Sequence, residues 1–196
     1  TSMQDSNFVY YKNTIAVTNR HLCTCPLTEQ LKKVCSVHPR AIILREKDLS
    51  EEAYLSLAKE ALAICAKENV PCILHNFIDV AADLQVNAIH LPLHVLRENR
   101  QKLSGFSIIG TSVHSLEDAS EAVSLGATYL SAGHIYATDC KKGLPPRGLD
   151  FLQQVCEHVK VPVYAIGGIK ASKKQFEEIM AHGAKGGCIM SGMMQL

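Results

Sequence analysis

Eight short β-rich runs recur about every 20 to 25 residues, and segments with helical spacing lie between them. The runs cover residues 14–18, 41–45, 72–75, 88–91, 107–112, 129–132, 161–166 and 187–190. Strands that alternate with helices pair in parallel and bury both faces of the sheet, which restricts the chain to an α/β architecture. The clearest helical segments are 27–37, 51–68, 116–125, 149–158 and 172–182. In the second of these, Leu55, Ala58, Leu62 and Cys65 fall on one face, and Ser50 is placed to cap its first turn. Gly183 marks the end of the last. Eight such units predict a (β/α)8 TIM barrel. The competing doubly wound sheet wants a glycine-rich loop after its first strand, and Thr18-Asn19-Arg20-His21 is not one. With 196 residues, each unit has about 24, so the barrel is compact and its last helix is shortened after Met194.

A 47% hydrophobic content supplies one core, so residues 1–196 read as a single domain, with 1–7 a tag-derived or disordered start. Twenty Lys and Arg against 19 Asp and Glu leave a net charge of +1, too little to draw in nucleic acid or an anionic membrane surface. The sequence has neither a membrane-spanning run nor a signal-peptide pattern at its start, and a cytoplasmic protein is expected. The eight cysteines are scattered through a chain of ordinary size, which favours reduced thiols. His21, Cys23, Cys25 and His38 have zinc-ligand chemistry, but no second close pair completes a structural spacing, so no metal is assigned there.

In a barrel of this kind chemistry collects where strands end and the following loops begin. Strand seven stops at Gly167 and Gly168, and strand eight at Ser191 and Gly192. Bare backbone N–H groups followed by helix N-termini make a phosphate cradle at that place. Other strand ends carry Arg45, Glu46 and Lys47, then His75 and Asn76, then Ser112 and His114, then His134, with Thr138, Asp139, Lys141 and Lys142 in the loop beyond. His90, between Ile89 and Leu91, reads as a hydrogen-bonded core histidine. His114 and His134 have small or glycine neighbours that keep an imidazole reachable. Glu46 is the one carboxylate at a strand end, so the histidines do not read as a metal centre. A titratable ring beside a phosphate cradle suits acid–base chemistry on a phosphorylated small molecule.

These residues resemble the thiamine-phosphate synthase superfamily from about Thr14 to the C-terminus. Leu44-Arg45-Glu46-Lys47 is similar to its strand-two signature and Gly110-Thr111-Ser112-Val113-His114 to its strand five. Residues 165–169 and Met190-Ser191-Gly192 are similar to its phosphate loops. Within it, Ser112-Val113-His114-Ser115-Leu116 and the run from Gly133 and His134 through Lys141 and Lys142 to Arg147 and Gly148 resemble the thiazole tautomerases. Synthases join a pyrimidine diphosphate to a thiazole phosphate with magnesium held by an aspartate after the strand-three Asn and another after strand four. Here Phe77 follows Asn76, and Leu91-Pro92-Leu93-His94-Val95 contains no acid. The resemblance therefore implies a metal-independent thiazole tautomerase that aromatises a carboxythiazole phosphate, with no cofactor. It makes His114 the proton carrier. Arg45, Lys47, Asn76, Ser112, Ser115, His134 and Lys141 become substrate-binding residues, and Gly167, Gly168, Ser191 and Gly192 bind phosphate. The alternatives are a thiamine-phosphate synthase with altered Mg2+ ligands and a non-catalytic regulator that binds a thiamine precursor. The expected partner is a phosphorylated thiazole, and the family's habit makes a homodimer an expectation.

Overall fold

The computed structural model describes residues 7–196, so most of the expected tag-derived or disordered start lies outside the described residues. Eight parallel strands close into a barrel in chain order: β1 (Thr14–Val17), β2 (Ala41–Leu44), β3 (Cys72–His75), β4 (Ala88–Leu91), β5 (Ile108–Val113), β6 (Tyr129–Ala132), β7 (Val163–Ala165) and β8 (Gly186–Ile189). The helices between and after them are α1 (Leu27–Ser36), α2 (Glu51–Lys67), α3 (Ile78–Asp83), α4 (Leu93–Glu98), α5 (Leu116–Ser124), α6 (Gly148–His158), α7 (Lys173–Ala181) and α8 (Ser191–Met194). This is the (β/α)8 barrel expected, and its last helix is a single turn of four residues.

Alternation along each strand sorts side chains into two apolar layers. Ile15, Val17, Ile43, Ile73, Tyr129 and Tyr164 pack together inside the barrel. Their strand neighbours, among them Leu44, Leu74, Leu91 and Leu130, are fully buried against the surrounding helices. Each such leucine contributes about 1.5–3 kcal/mol by leaving water. Ser50 caps α2 by accepting the Ala53 N–H at 3.1 Å, as its place before the helix predicts. Gly183, at φ 104°, follows α7 in the left-handed conformation that a helix-ending glycine adopts.

Two features differ from the sequence reading. The helices α3 and α4 have six residues each, too few to show a repeating apolar face. Strand β7 is shorter than the apolar run that contains it, because Pro162 has no N–H to extend the ladder, although its carbonyl still accepts the Leu130 N–H at 3.0 Å. Among the described residues no helix is long and apolar enough to cross a membrane. The seven cysteines whose side chains are described are all free thiols.

Candidate active site

Four consecutive strand exits, from β5 to β8, carry His114, Gly133 with His134, Gly167 with Gly168, and Ser191 with Gly192. His114 follows β5 directly and is exposed. Its Nδ1 lies 2.9 Å from the Gly133 carbonyl oxygen, and since a carbonyl only accepts, Nδ1 carries the proton. Nε2 is then the basic nitrogen, and it has no partner among the described residues. The His114 N–H donates to Asp118 Oδ2 at 3.0 Å, and the Ser115 Oγ accepts the Asp118 N–H at 3.0 Å. Ser115 is thus the N-cap of α5, a structural role its sequence reading as a substrate partner did not include. The signal was present in sequence, because Ser115 stands three residues before Asp118 at a helix start.

The loop between β6 and α6 is tied down at both ends. Ile135 and Tyr136 donate their N–H groups to the carbonyls of Ile166 and Gly167 at 2.9 and 3.0 Å, while Arg147 and Gly148 donate to His134 and Ile135 at 2.9 and 3.1 Å. His134 is half-buried beside this tie, with Nε2 3.4 Å from the Leu144 carbonyl. Lys141 is exposed toward the loop's tip. The peptide between Gly133 and His134 is cis.

Docking of this loop changes the reason for the glycines. Gly167 has φ 97°, and a Cβ there would stand 2.2 Å from His134 Cβ, so packing of the loop requires glycine independently of any ligand. The N–H groups of Gly167 and Gly168 nonetheless have no acceptor among the described residues, and those of Ser191 and Gly192 lie in the first turn of α8. Two of the four residues expected to form a cradle, Gly167 and Gly168, are thus also the residues on which the loop docks.

Across the mouth, Arg45 is half-buried and donates its N–H to Thr18 Oγ1 at 2.9 Å, and Lys47 is exposed. Between them Glu46, 2% exposed, accepts hydrogen bonds from Thr18 Oγ1 at 2.7 Å, the Arg20 N–H at 3.1 Å and Arg20 Nη1 at 2.9 Å. Arg20 also grips Asp48 through two bonds of 2.7 and 2.9 Å. The strand-end acid is therefore a brace between the β1 and β2 exits. The four candidate zinc ligands are not gathered: His21 bonds Asp48 at 2.8 Å, Cys23 approaches Met194 Sδ at 3.5 Å and Cys25 approaches Gln30 Oε1 at 3.4 Å.

Asn76 lines a pocket of about 170 Å³ shared with Glu51, Phe77, Asp79, Asn99 and Lys102. Phe77 stacks on Tyr54 at 4.4 Å, the β4 exit runs through Pro92 into the apolar start of α4, and exposed Asp79 pairs with Lys102 at 3.5 Å. Magnesium requires several hard oxygen ligands in octahedral array, and the donor set at these two exits does not fit it. Among the described residues no three His, Cys, Asp or Glu side chains gather in a way that suits a metal.

Inside the barrel His90, 4% exposed, contacts Tyr129, Ser112 and the ring of His75. The core histidine expected at this position is therefore hydrogen-bonded, and it connects to the site. Burial, then the Arg45 charge, lowers His90 to about 4. Burial first, then His90, Arg45 and Lys47, holds His75 lower still. Both rings are neutral at pH 7. An unfolded chain protonates its histidines near pH 6.5 while the folded chain resists, so this contribution to stability is whole above about pH 6.5 and is lost as pH falls. The share of His90 alone amounts to about 3 kcal/mol by pH 4. Denaturant melts between pH 7 and pH 4 will show a steep decline; a flat profile over that range contradicts these burial assignments.

The chain is similar to known proteins over nearly all of this architecture. A family model described as thiamine monophosphate synthase matches residues 14–193. The putative thiamine-phosphate synthase 2 of Aquifex aeolicus is 33% identical over 159 residues, spanning 81% of this chain and 86% of the relative. The thiamine-phosphate synthase of Shouchella clausii is 35% identical over 156 residues, 76% of this chain and 72% of the relative. Among solved structures, thiamine phosphate pyrophosphorylase from Pyrococcus furiosus aligns with a TM-score of 0.78 at 29% identity, covering 94% of this chain and 88% of that one.

Proposed function

The chain belongs to the thiamine monophosphate synthase family, and from that membership we propose that it is a thiazole tautomerase, which aromatises a phosphorylated carboxythiazole by moving one proton. The observation that carries this reading is the imidazole of His114, whose Nδ1–H is held by the Gly133 carbonyl at 2.9 Å while Nε2 remains basic. Nε2 takes the proton from the ring carbon that bears the carboxylate. The electron pair of that C–H bond enters the ring, the exocyclic double bond is consumed, and its outer carbon receives the proton back. Atoms and charge balance without oxidant or metal. Histidine suits both steps, because one nitrogen gives and takes protons near neutral pH.

Phosphate lies on the N–H groups of Gly167, Gly168, Ser191 and Gly192, with Lys141 adding charge from the loop. Arg45 and Lys47 face the carboxylate across the mouth. No step is assigned to magnesium, since the exits of β3 and β4 carry Phe77 and an apolar turn where oxygen ligands would be needed.

The names of the relatives favour a second reading, thiamine-phosphate synthase. Two incubations separate them. Protein dialysed against EDTA will convert the dihydrothiazole isomer to the aromatic one. A mixture of pyrimidine diphosphate, thiazole phosphate and Mg2+ will give no coupled product. Coupling that vanishes with EDTA, and no isomerisation, would establish the synthase instead. Binding without either reaction would leave the precursor-binding regulator.

A further inference from the structure

We propose that Tyr129 and His90 are positioning residues that keep the Ser112 hydroxyl a hydrogen-bond donor to the ligand, next to a His114 that is a proton acceptor. This inference rests on the tautomerase reading for the identity of the ligand and on the geometry of the barrel for everything else.

Strand register builds the arrangement. His90 on β4, Gly110 on β5 and Tyr129 on β6 are paired neighbours at one level of the barrel. A Cβ on Gly110 would stand 2.0 Å from Tyr129 Cζ and others of its ring atoms are as crowded, so only glycine lets the phenol cross β5. The Tyr129 hydroxyl thereby reaches His90 Nδ1 at 2.8 Å. Two residues along β5, Ser112 is paired with Ser131. Ser131 Oγ donates to Ser112 Oγ at 3.1 Å, and His90 Nε2 lies 3.1 Å from the same oxygen.

Buried protons that need an acceptor set the bond directions, and Ser131, 1% exposed, has Ser112 Oγ as its one side-chain partner among the described residues, so it donates there. The buried Tyr129 hydroxyl has His90 Nδ1 as its one hydrogen-bond partner among the described residues. If it accepted there, its own proton would be buried unpaired, so it donates. Neutral imidazole carries one proton, which must sit on Nε2 and point to Ser112. Ser112 Oγ receives protons from His90 and Ser131, which fills both its lone pairs. Its own proton has no acceptor among the described residues, and half-buried Ser112 offers it to the ligand.

Ser112 lies near the end of β5 and His114 is the first residue beyond it, so the two stand two residues apart at one strand exit. Removing a proton beside a carboxylate spreads negative charge onto the carboxylate oxygens, and a fixed donor there stabilises the charge as it develops. A hydroxyl free to rotate would have to be oriented in each turnover. The relay through Tyr129 removes that need, and it sets the two histidines in opposite tautomers.

The test has two parts. In ligand-free protein, nitrogen-15 NMR of the imidazoles will show His90 protonated at Nε2 and His114 at Nδ1. In kinetics, Ser112→Ala will lower kcat by about 100-fold and Tyr129→Phe by about tenfold, with KM changed less than about twofold in each. A His90 protonated at Nδ1, or a Tyr129→Phe variant that keeps full kcat, would overturn the proposal. If wild-type protein shows no isomerisation at all, the functional reading fails, while the predicted tautomers still test the relay. Ser131→Ala, a smaller change, gives an independent loss of a few-fold if Tyr129→Phe does not fold.

Discussion

His114→Ala is expected to lose about 10²- to 10⁴-fold in kcat, the range a general acid–base group supplies. The loss will come with little change in KM or in thermal stability, because the imidazole is exposed and its one side-chain bond among the described residues is to the Gly133 carbonyl. His114→Gln keeps a donor for Gly133 but cannot cycle a proton, and it should be as slow as alanine. Steady-state rates with the dihydrothiazole substrate, measured beside a thermal melt, check both. Full activity in either variant assigns the proton transfer to another group.

Gly167→Ala will be the most damaging small substitution at the rim. Its methyl group would fall 2.2 Å from His134 Cβ and 2.5 Å from His134 Cα, at a φ of 97° that an L-residue avoids. The backbone conformation costs about 1–2 kcal/mol and the overpacking about 1–3 more. Relief requires the β6–α6 loop to leave the β7 exit, which breaks the hydrogen bonds from Ile135 and Tyr136. The melting temperature should drop by many degrees, and surviving folded protein should bind the phosphorylated ligand at least tenfold more weakly, about the worth of one charge-assisted hydrogen bond. Gly105→Ala is the control, since a Cβ there meets nothing within 4 Å, and it will change neither property.

Most of the barrel can be read from the sequence because each strand is a short apolar run bounded by a polar exit, and parallel strands bury both faces. All eight runs overlap observed strands. The misplaced boundaries have local causes: at β7, Pro162 interrupts donation to the ladder. The candidate site residues stand at strand ends, where residue type makes them legible as candidates. What escapes is anything set by register. Nothing in the neighbourhood of Gly110 or Tyr129 announces that one lacks a side chain so the other can reach His90; that depends on β4, β5 and β6 being level. Glu46 escapes for the same reason, as its partners Thr18 and Arg20 come from a different strand exit. Gly167 and Gly168 are legible as glycines with a purpose, but the sequence does not reveal that the β6–α6 loop packs against them.

The most direct test is a crystal structure with the aromatic carboxythiazole phosphate bound. Phosphate oxygens are expected on the N–H groups of Gly167, Gly168, Ser191 and Gly192, and His114 Nε2 about 3–3.5 Å from the ring or its exocyclic carbon. A phosphate seated at Arg45 and Lys47, with the heterocycle beyond reach of His114, would contradict this arrangement.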